Sequence, residues 1–369
     1  MNMLNRKIIV LLSALFLGVS IMACSESSNK DFIEKQYPLM DFSVKVGDSY
    51  YHGKIDQVTR RVEIGTIESA SSITGVDYRL MTKGTQISPN PSSFVEKGWE
   101  KEQTVTVTTE DQISTVYTIV LTKLNEDTKD ILFMDDFNVD GIPDPTYWSL
   151  CKKGTSDWDD EMSESNDQAY VKDGNLVLIA EKVGNEYKAG GIESINKYSF
   201  TFGKVEVRAR ITQYPNGAFP AIWLMPQTAA YKGWPKGGEI DIMEHIKQEG
   251  VIWQTIHTNY TYTLGIKDPA NSTGVTCNYA EYNVYGLEWN ENELIFSVNG
   301  QKTFTYPNLR LSDEAEKMQW PFTKDSSFYF ILNMGLGGDR EGSWAGPIDD
   351  ANMPAKMEID WVKVSRLSR

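Results

Sequence analysis

The sequence predicts an all-β protein built as a small β-sandwich followed by a large β-jelly roll, and three observations predict it. Short runs alternate apolar and polar residues with a period of two, as in Phe42-Ser-Val-Lys-Val46, Arg61-Val-Glu-Ile-Gly-Thr-Ile67 and Thr104-Val-Thr-Val-Thr108. Glycine, proline and Asn-Gly punctuate these runs, and Asn299-Gly300 between two apolar stretches is a strong hairpin signal. Long helical periodicity is scarce over 369 residues, so the apolar 40% must be buried mainly by sheets.

Taken in order, residues 1–24 carry Arg6-Lys7, an apolar stretch from Ile8 to about Val19, and Ile21-Met-Ala-Cys24. This predicts a secretory signal, too short for a comfortable membrane span. Small residues before a cysteine resemble a bacterial lipobox, in which Cys24 becomes the lipidated first residue of an exported lipoprotein of the outer membrane or cell surface. The polar residues 25–37 then read as a tether. Residues 38–124 hold the period-two runs rich in Val, Ile and Thr and read as the sandwich, similar to immunoglobulin-like modules. With His52 its one histidine and Trp99 its one tryptophan, this unit reads as a spacer. After the polar joint Asn125-Glu-Asp-Thr-Lys-Asp130 the composition changes, and nine of the ten tryptophans lie in residues 131–369. Leu176-Val-Leu-Ile-Ala180, Gly203 to Ile211, Phe328-Tyr-Phe-Ile-Leu332 and Met357 to Val364 are its strand candidates.

Formal net charge is -15, from 36 basic and 51 acidic residues; removal of Arg6 and Lys7 with the leader leaves 34 against 51, or -17. A field of that sign disfavours nucleic acid and other polyanions, and a neutral or cationic partner fits better. Cys151 and Cys277, the two cysteines beyond the leader, can pair in an oxidising compartment or stand as buried thiols.

The chemistry concentrates in Gly237-Gly-Glu-Ile-Asp-Ile-Met-Glu-His245. Three carboxylates this close repel one another and are costly to desolvate, so the strand that carries them gives up stability for something. Side chains at i and i+2 face the same way in a strand, which puts Glu239 and Asp241 together. Glu244 is five residues from Glu239 and falls on the wrong face unless a β-bulge near Met243 absorbs one residue. With that bulge, two glutamates can lie about 5 to 5.5 Å apart, the spacing with which one attacks an anomeric carbon while the other protonates the leaving oxygen. A solvent-facing acidic strand or a calcium site is the alternative. Ile240, Ile242 and Met243, which mark the opposite face as buried, argue against both.

This run resembles the Glu-x-Asp-x-x-Glu motif of glycoside hydrolase family 16, in the bulged form of its laminarinase-like members. Ala189-Gly-Gly-Ile-Glu-Ser194, Phe202 to Arg210, Phe219-Pro-Ala-Ile-Trp-Leu-Met-Pro226, Tyr285-Gly-Leu-Glu-Trp289, Leu332-Asn-Met-Gly-Leu-Gly-Gly338 and Ile359-Asp-Trp-Val-Lys-Val364 resemble family segments in the same order, over about residues 131 to 369. The resemblance implies a concanavalin-like jelly roll and endo-acting, retaining hydrolysis of β-linked glycans without a catalytic cofactor. It implies Glu239 as nucleophile, Asp241 as its helper and Glu244 as general acid/base, in a protein expected to be a monomer.

Sugar rings present apolar C–H faces, so a glycan cleft needs exposed aromatics beside hydrogen-bonding groups. Trp223, Trp234 and Trp344 match cleft positions of the family, and His257 and Asn216 are further candidates for substrate contact. Trp253, Trp289 and Trp361 lie in apolar runs that read as core, and His245 is expected to point away from the cleft. Asp360 matches a position that holds a structural calcium in some members. The substrate expected first is a β-1,3 or mixed-linkage glucan. The stretch His257-Thr-Asn-Tyr-Thr-Tyr-Thr263 departs from the glucanase pattern, which keeps open a β-galactosidic glycan of mucin or keratan type. A non-catalytic glycan-binding lipoprotein and a transglycosylase are the remaining alternatives.

Overall fold

In the computed structural model, residues 38–56, 59–66, 70–80, 84–99, 102–123, 130–246, 249–338 and 343–367 are described. The leader, Cys24 and the tether fall outside them. Among the described residues no helix is long and apolar enough to cross a membrane.

Period-two patterning decides the front unit. Val62 and Ile64 are fully buried while Glu63 between them is exposed, and Val105 and Val107 repeat the alternation. One antiparallel sheet places Leu39–Val46 between Ser49–His52 and Ile73–Leu80. The second, five-stranded, runs Lys54–Asp56, Arg61–Thr66, Ser114–Lys123, Glu102–Thr108, Gln86–Ser88, with Arg61–Thr66 parallel to Ser114–Lys123. Phe42, Val44, Tyr51, Tyr117 and Ile119 fill the space between the sheets. One element is a departure from the all-strand reading: Ser92–Lys97 is a short helix that seats Phe94 edge-on against Trp99, ring centroids 5.4 Å apart. Trp99 is therefore core.

Beyond the joint a single curled sheet folds back on itself into two layers. The layer that carries the acids runs Ser272–Val275, Ile252–His257, Glu239–Glu244, Ala218–Thr228, Ser327–Leu336, Glu186–Glu193. Pairing of Asn175–Val183 with Glu186–Glu193 leads into the other layer, which continues Ala355–Ser365, Gly203–Gln213, Asn283–Trp289, Glu293–Val298, Gln301–Pro307. Asn299 and Gly300 make the expected hairpin, both with positive φ (52° and 75°), the conformation for which Asn-Gly is favoured. Trp289, Phe296, Phe328 and Phe330 are fully buried between the layers. Trp361 is not core: it is half-buried on the outer face, with the Lys363 ammonium 5.1 Å from its ring centre. Cys151 is buried, Cys277 partly so, and both thiols are free.

The two units touch directly. Tyr50 and Asp130 exchange hydrogen bonds of 3.1 and 2.9 Å, and the Arg366 guanidinium stacks 3.9 Å from the Tyr50 ring. Arg79 lies 5.1 Å from the ring centre of Tyr198.

Candidate active site

The strand Glu239–Glu244 lies between Ala218–Thr228 and Ile252–His257, and its register changes within the motif. Asp241 is opposite Thr255 but Glu244 is opposite Trp253, so three residues of one strand match two of the other. The same slip appears on the other side, where Met243 faces Ile222 and Asp241 faces Trp223. The extra residue lies in Ile242-Met243, where the spacing of the acids requires it. Ile240, Ile242 and Met243 are fully buried, while Glu239, Asp241 and Glu244 all line one cleft of about 880 Å³. Gly238 turns into this strand at φ 88°, and a Cβ there would sit 2.7 Å from Phe322. Its bareness makes room for the protein's own Pro321-Phe322 segment.

Burial raises the pKa of all three acids, and their mutual repulsion raises two of them further. Glu239 is pushed up by burial to about 7, against the opposing effect of two hydrogen bonds. Trp234 Nε1 donates to its Oε2 at 2.5 Å, and Asp241 donates to it from its protonated form. Glu244 is raised to about 8 by burial first and the charge of Glu239 second, with Thr255 opposing. Asp241, 2% exposed, is raised well above the carboxylate range by burial and then by both glutamates. The three titrate as one system, and Glu239 is the member whose ionised form is best supported. A neutral-pH state with Glu239 charged and Asp241 and Glu244 protonated gives one nucleophile, one proton donor to that nucleophile, and one general acid.

His257 stands over this group, Nε2 3.4 Å from Asp241 Oδ2 and 3.9 Å from Glu239 Oε1. Burial, assisted by the charge of Lys267, lowers its pKa to about 4, so it meets the acids as a neutral imidazole. Glu239, Asp241 and His257 offer metal-ligand atoms within 4.8 Å of one another, the one such cluster among the described residues. Two of its three members are the nucleophile and its helper. A cation bound there would occupy the attacking oxygen.

Around the acids the cleft is aromatic. Trp234 is 49% exposed, Tyr262 55% and Trp344 50%, and Trp234 meets Tyr262 edge-on at 4.5 Å. Trp223 also lines the cleft, but at 6% exposure it is floor, its Nε1 tied to Asn333 Oδ1 at 2.8 Å and its ring edge-on to Trp158 at 5.0 Å. Trp253, read from the sequence as core, borders the cleft, and its Nε1 donates to Glu249 at 2.7 Å.

Two residues expected at binding sites meet other partners in the structure. Asn216 is not in the cleft: its amide donates to the Pro347 carbonyl at 2.9 Å and its own carbonyl accepts from Asp349, so it ties two loops together. Asp360 forms an ion pair with Arg208 on the outer layer, and no cluster of metal-ligand groups among the described residues includes it. A carboxylate already neutralised by a guanidinium is a poor start for a calcium site. His245 points away from the cleft, as expected, between the rings of Tyr214 and Tyr279 at 4.2 Å each.

Residues 156–363, more than half of the chain, match the family model of glycosyl hydrolases family 16. The chain belongs to that family. A second model, a domain of unknown function (DUF4971), matches residues 4–137, which takes in the front sandwich. Within family 16 the chain is 40% identical over 244 residues to the keratan-sulfate endo-1,4-beta-galactosidase of Sphingobacterium multivorum, covering 64% of this chain but 55% of that protein. To the beta-glucanase of Rhodothermus marinus it is 33% identical over 252 residues, 64% of this chain and 85% of that one. A solved structure described as an endo-acting O-glycanase of the human gut microbiota superposes with a TM-score of 0.57 at 37% identity, covering 64% of this chain and all of the other. The laminarinase from Rhodothermus marinus superposes at 0.56 with 29% identity, over 65% of this chain and 98% of that one. Every residue that lines the cleft lies within the matched residues 156–363.

Trp158, Glu193, Tyr262, Lys267 and Tyr329 also line this family 16 cleft and were not singled out from the sequence. Two of them had a signal: Glu193 lies in the family-like segment Ala189–Ser194, and Tyr262 falls in the stretch after His257 that departs from the glucanase pattern. Asn259–Thr263 there forms a π-helical turn whose start is closed by reciprocal bonds between Thr258 and Thr261, and the turn projects Tyr262 into the cleft.

Proposed function

We propose that this protein is an endo-acting, retaining hydrolase of β-linked glycans. The observation that carries the reading is the set of three carboxyl groups on one face of a bulged strand, with ionisation divided among them. Glu239 attacks the anomeric carbon while Glu244 gives its proton to the leaving oxygen, so the glycosidic C–O bond breaks as the glycosyl-enzyme ester forms. Glu244, now ionised, takes a proton from water as that water attacks the same carbon and releases Glu239. Asp241 moves no proton to the sugar; its hydrogen bond stabilises Glu239 as a carboxylate. The chemistry requires no cofactor.

Two substrate classes are supported, and each has a specific observation behind it. A β-1,3 or mixed-linkage glucan is supported by the similarity to the Rhodothermus glucanase over 85% of its length. A β-galactosidic glycan of keratan or mucin type is supported by the higher identities, 40% and 37%, to an endo-galactosidase and an O-glycanase, and by the Tyr262 turn. The leader and Cys24 support an exported, lipid-anchored protein. Fatty-acid label that persists in a Cys24→Ala protein would refute the anchor.

The deciding experiment incubates purified protein with laminarin, barley β-glucan, agarose, keratan sulfate and mucin and reads products by mass spectrometry. Internal cleavage of at least one polymer is expected. Glu239→Gln and Glu244→Gln should each lower turnover by about three powers of ten or more on that substrate. Near-normal turnover in either variant would sink the mechanism.

A further inference from the structure

We propose that Lys267 is a specificity-determining contact for an anionic substituent, a sulfate ester or a carboxylate, on a sugar bound beside the cleaved residue. The inference rests on the reading of the cleft as that of a β-glycan hydrolase and adds to it what the glycan carries.

The charges lining the cleft are segregated. Asp157, Glu193, Glu239, Asp241 and Glu244 are its acids, and Lys267 is its one lysine or arginine among the described residues. Glu193 lies three strands from the catalytic strand, and Asp157 accepts from the backbone N–H of Trp344, so both border the flank away from Lys267. Lys267 lies on the other flank, in the segment that joins Ile252–His257 to Ser272–Val275, with Asn271 and Ser272 beside it in the cleft wall. Among the described residues that line the cleft, that flank carries no acid besides the catalytic ones.

The ammonium is held in place but not neutralised. One of its three donors goes to the Thr261 carbonyl at 2.9 Å, and no carboxylate among the described residues pairs with it. Thr261 is itself fixed by its reciprocal bonds with Thr258, so the anchor is rigid. In a chain with 51 acids against 36 bases, a lysine on a cleft wall has many chances to pair, and here even the adjacent Asp268 does not take it. Its field reaches His257, whose protonation it opposes. The cation is therefore felt at the imidazole over the nucleophile.

A neutral sugar bound against Trp234 and Tyr262 needs ring faces and hydroxyl partners, which the indole, the phenol, Asn271 and Ser272 supply. A hydroxyl can accept from the Lys267 ammonium but carries no charge to pair with it. A sulfate or carboxylate oxygen does, and pairs with it through a charge-assisted hydrogen bond. The net charge of -15 opposes a densely charged polymer, but at physiological salt that field is screened over about 8 Å. A single substituent at Lys267 responds to the local cation.

The test compares wild-type protein with Lys267→Ala and Lys267→Arg on matched pairs. These are a β-galactan and a β-glucan oligosaccharide, each with and without a sulfate ester, and each neutral chain against one bearing a uronate. On the backbone that is cleaved, wild type should favour a charged partner in kcat/KM by about tenfold, the size of one charge-assisted hydrogen bond. That preference should shrink as salt is raised. Lys267→Ala should bring the ratio close to one and Lys267→Arg should keep most of it. The arm that shows the preference, sulfate or uronate, identifies the substituent. Equal cleavage of charged and neutral chains by wild type, or a preference that survives in Lys267→Ala, overturns the proposal while the glycanase reading stands. Failure of wild type to cleave any β-glycan overturns both.

Discussion

At the scale of the residue, the site is a problem of placing protons among three acids that burial would rather keep neutral. Repulsion raises Asp241 and Glu244 and not Glu239, but burial raises all three, so repulsion alone does not keep Glu239 charged. The difference is its donors, Trp234 Nε1 at 2.5 Å and the protonated Asp241, which stabilise the ionised form of Glu239 while Glu244 has only Thr255. Activity needs Glu239 ionised and Glu244 protonated, so kcat/KM should fall as pH drops below about 7 and as it rises above about 8. Trp234→Phe keeps an aromatic face but removes a donor to the carboxylate, so the pKa of Glu239 rises. The acid limb of the pH profile should then move to higher pH and the bell should narrow. An acid limb that stays in place or moves down would show that the indole serves only as a sugar platform. The roles of the three acids were legible in their spacing. Those of Asn216 and Asp360 were not, because a loop amide and an outer-face carboxylate are claimed by Pro347 and Arg208, partners 131 and 152 residues distant in sequence.

At the scale of the element, the bulge at Ile242-Met243 is what makes five-residue spacing compatible with one face. Period two makes a counter-intuitive prediction. Deleting Met243 removes the bulge residue and leaves Glu, Asp and Glu at alternate positions, still on the cleft face. The shortened strand should retain measurable hydrolysis at a lower melting temperature, since a fully buried side chain is lost. Deleting Ile240 instead puts Glu239 directly before Asp241, turns it toward the core, and should abolish turnover. Steady-state kinetics with circular dichroism on both proteins checks this, and loss of activity in a folded Met243 deletion would refute it. The need for a bulge was legible because the acids have to face together. The turn Asn259–Thr263 was not, since its sequence reads only as polar and its π-helical path depends on the Thr258–Thr261 bonds and on Asn259 reaching the Lys317 carbonyl at 3.2 Å.

At the scale of the whole molecule, the cleft belongs entirely to the jelly roll, and none of its lining residues comes from the front sandwich. The sandwich is nevertheless docked, through Tyr50 with Asp130 and Arg366, and through Arg79 with Tyr198 and Ser199. Replacing both Arg79 and Arg366 by Ala should loosen this contact without reaching the acids. Protease cleavage in the joint between the units should quicken while kcat on a short oligosaccharide stays near the wild-type value. A large fall in kcat would mean that the sandwich shapes the cleft after all. Each sheet could be read from the sequence because alternation is a local property: Val62, Ile64, Ile240 and Ile242 are buried in the register that their own neighbours dictate. The same local logic placed three acids on one strand and required a bulge. The tertiary structure alone decided which acid keeps its charge, which tryptophans are floor and which are platform, and that Lys267 and Tyr262 face the cleft. Those depend on desolvation and on contacts between strands distant in the chain, and neither leaves a period in the sequence.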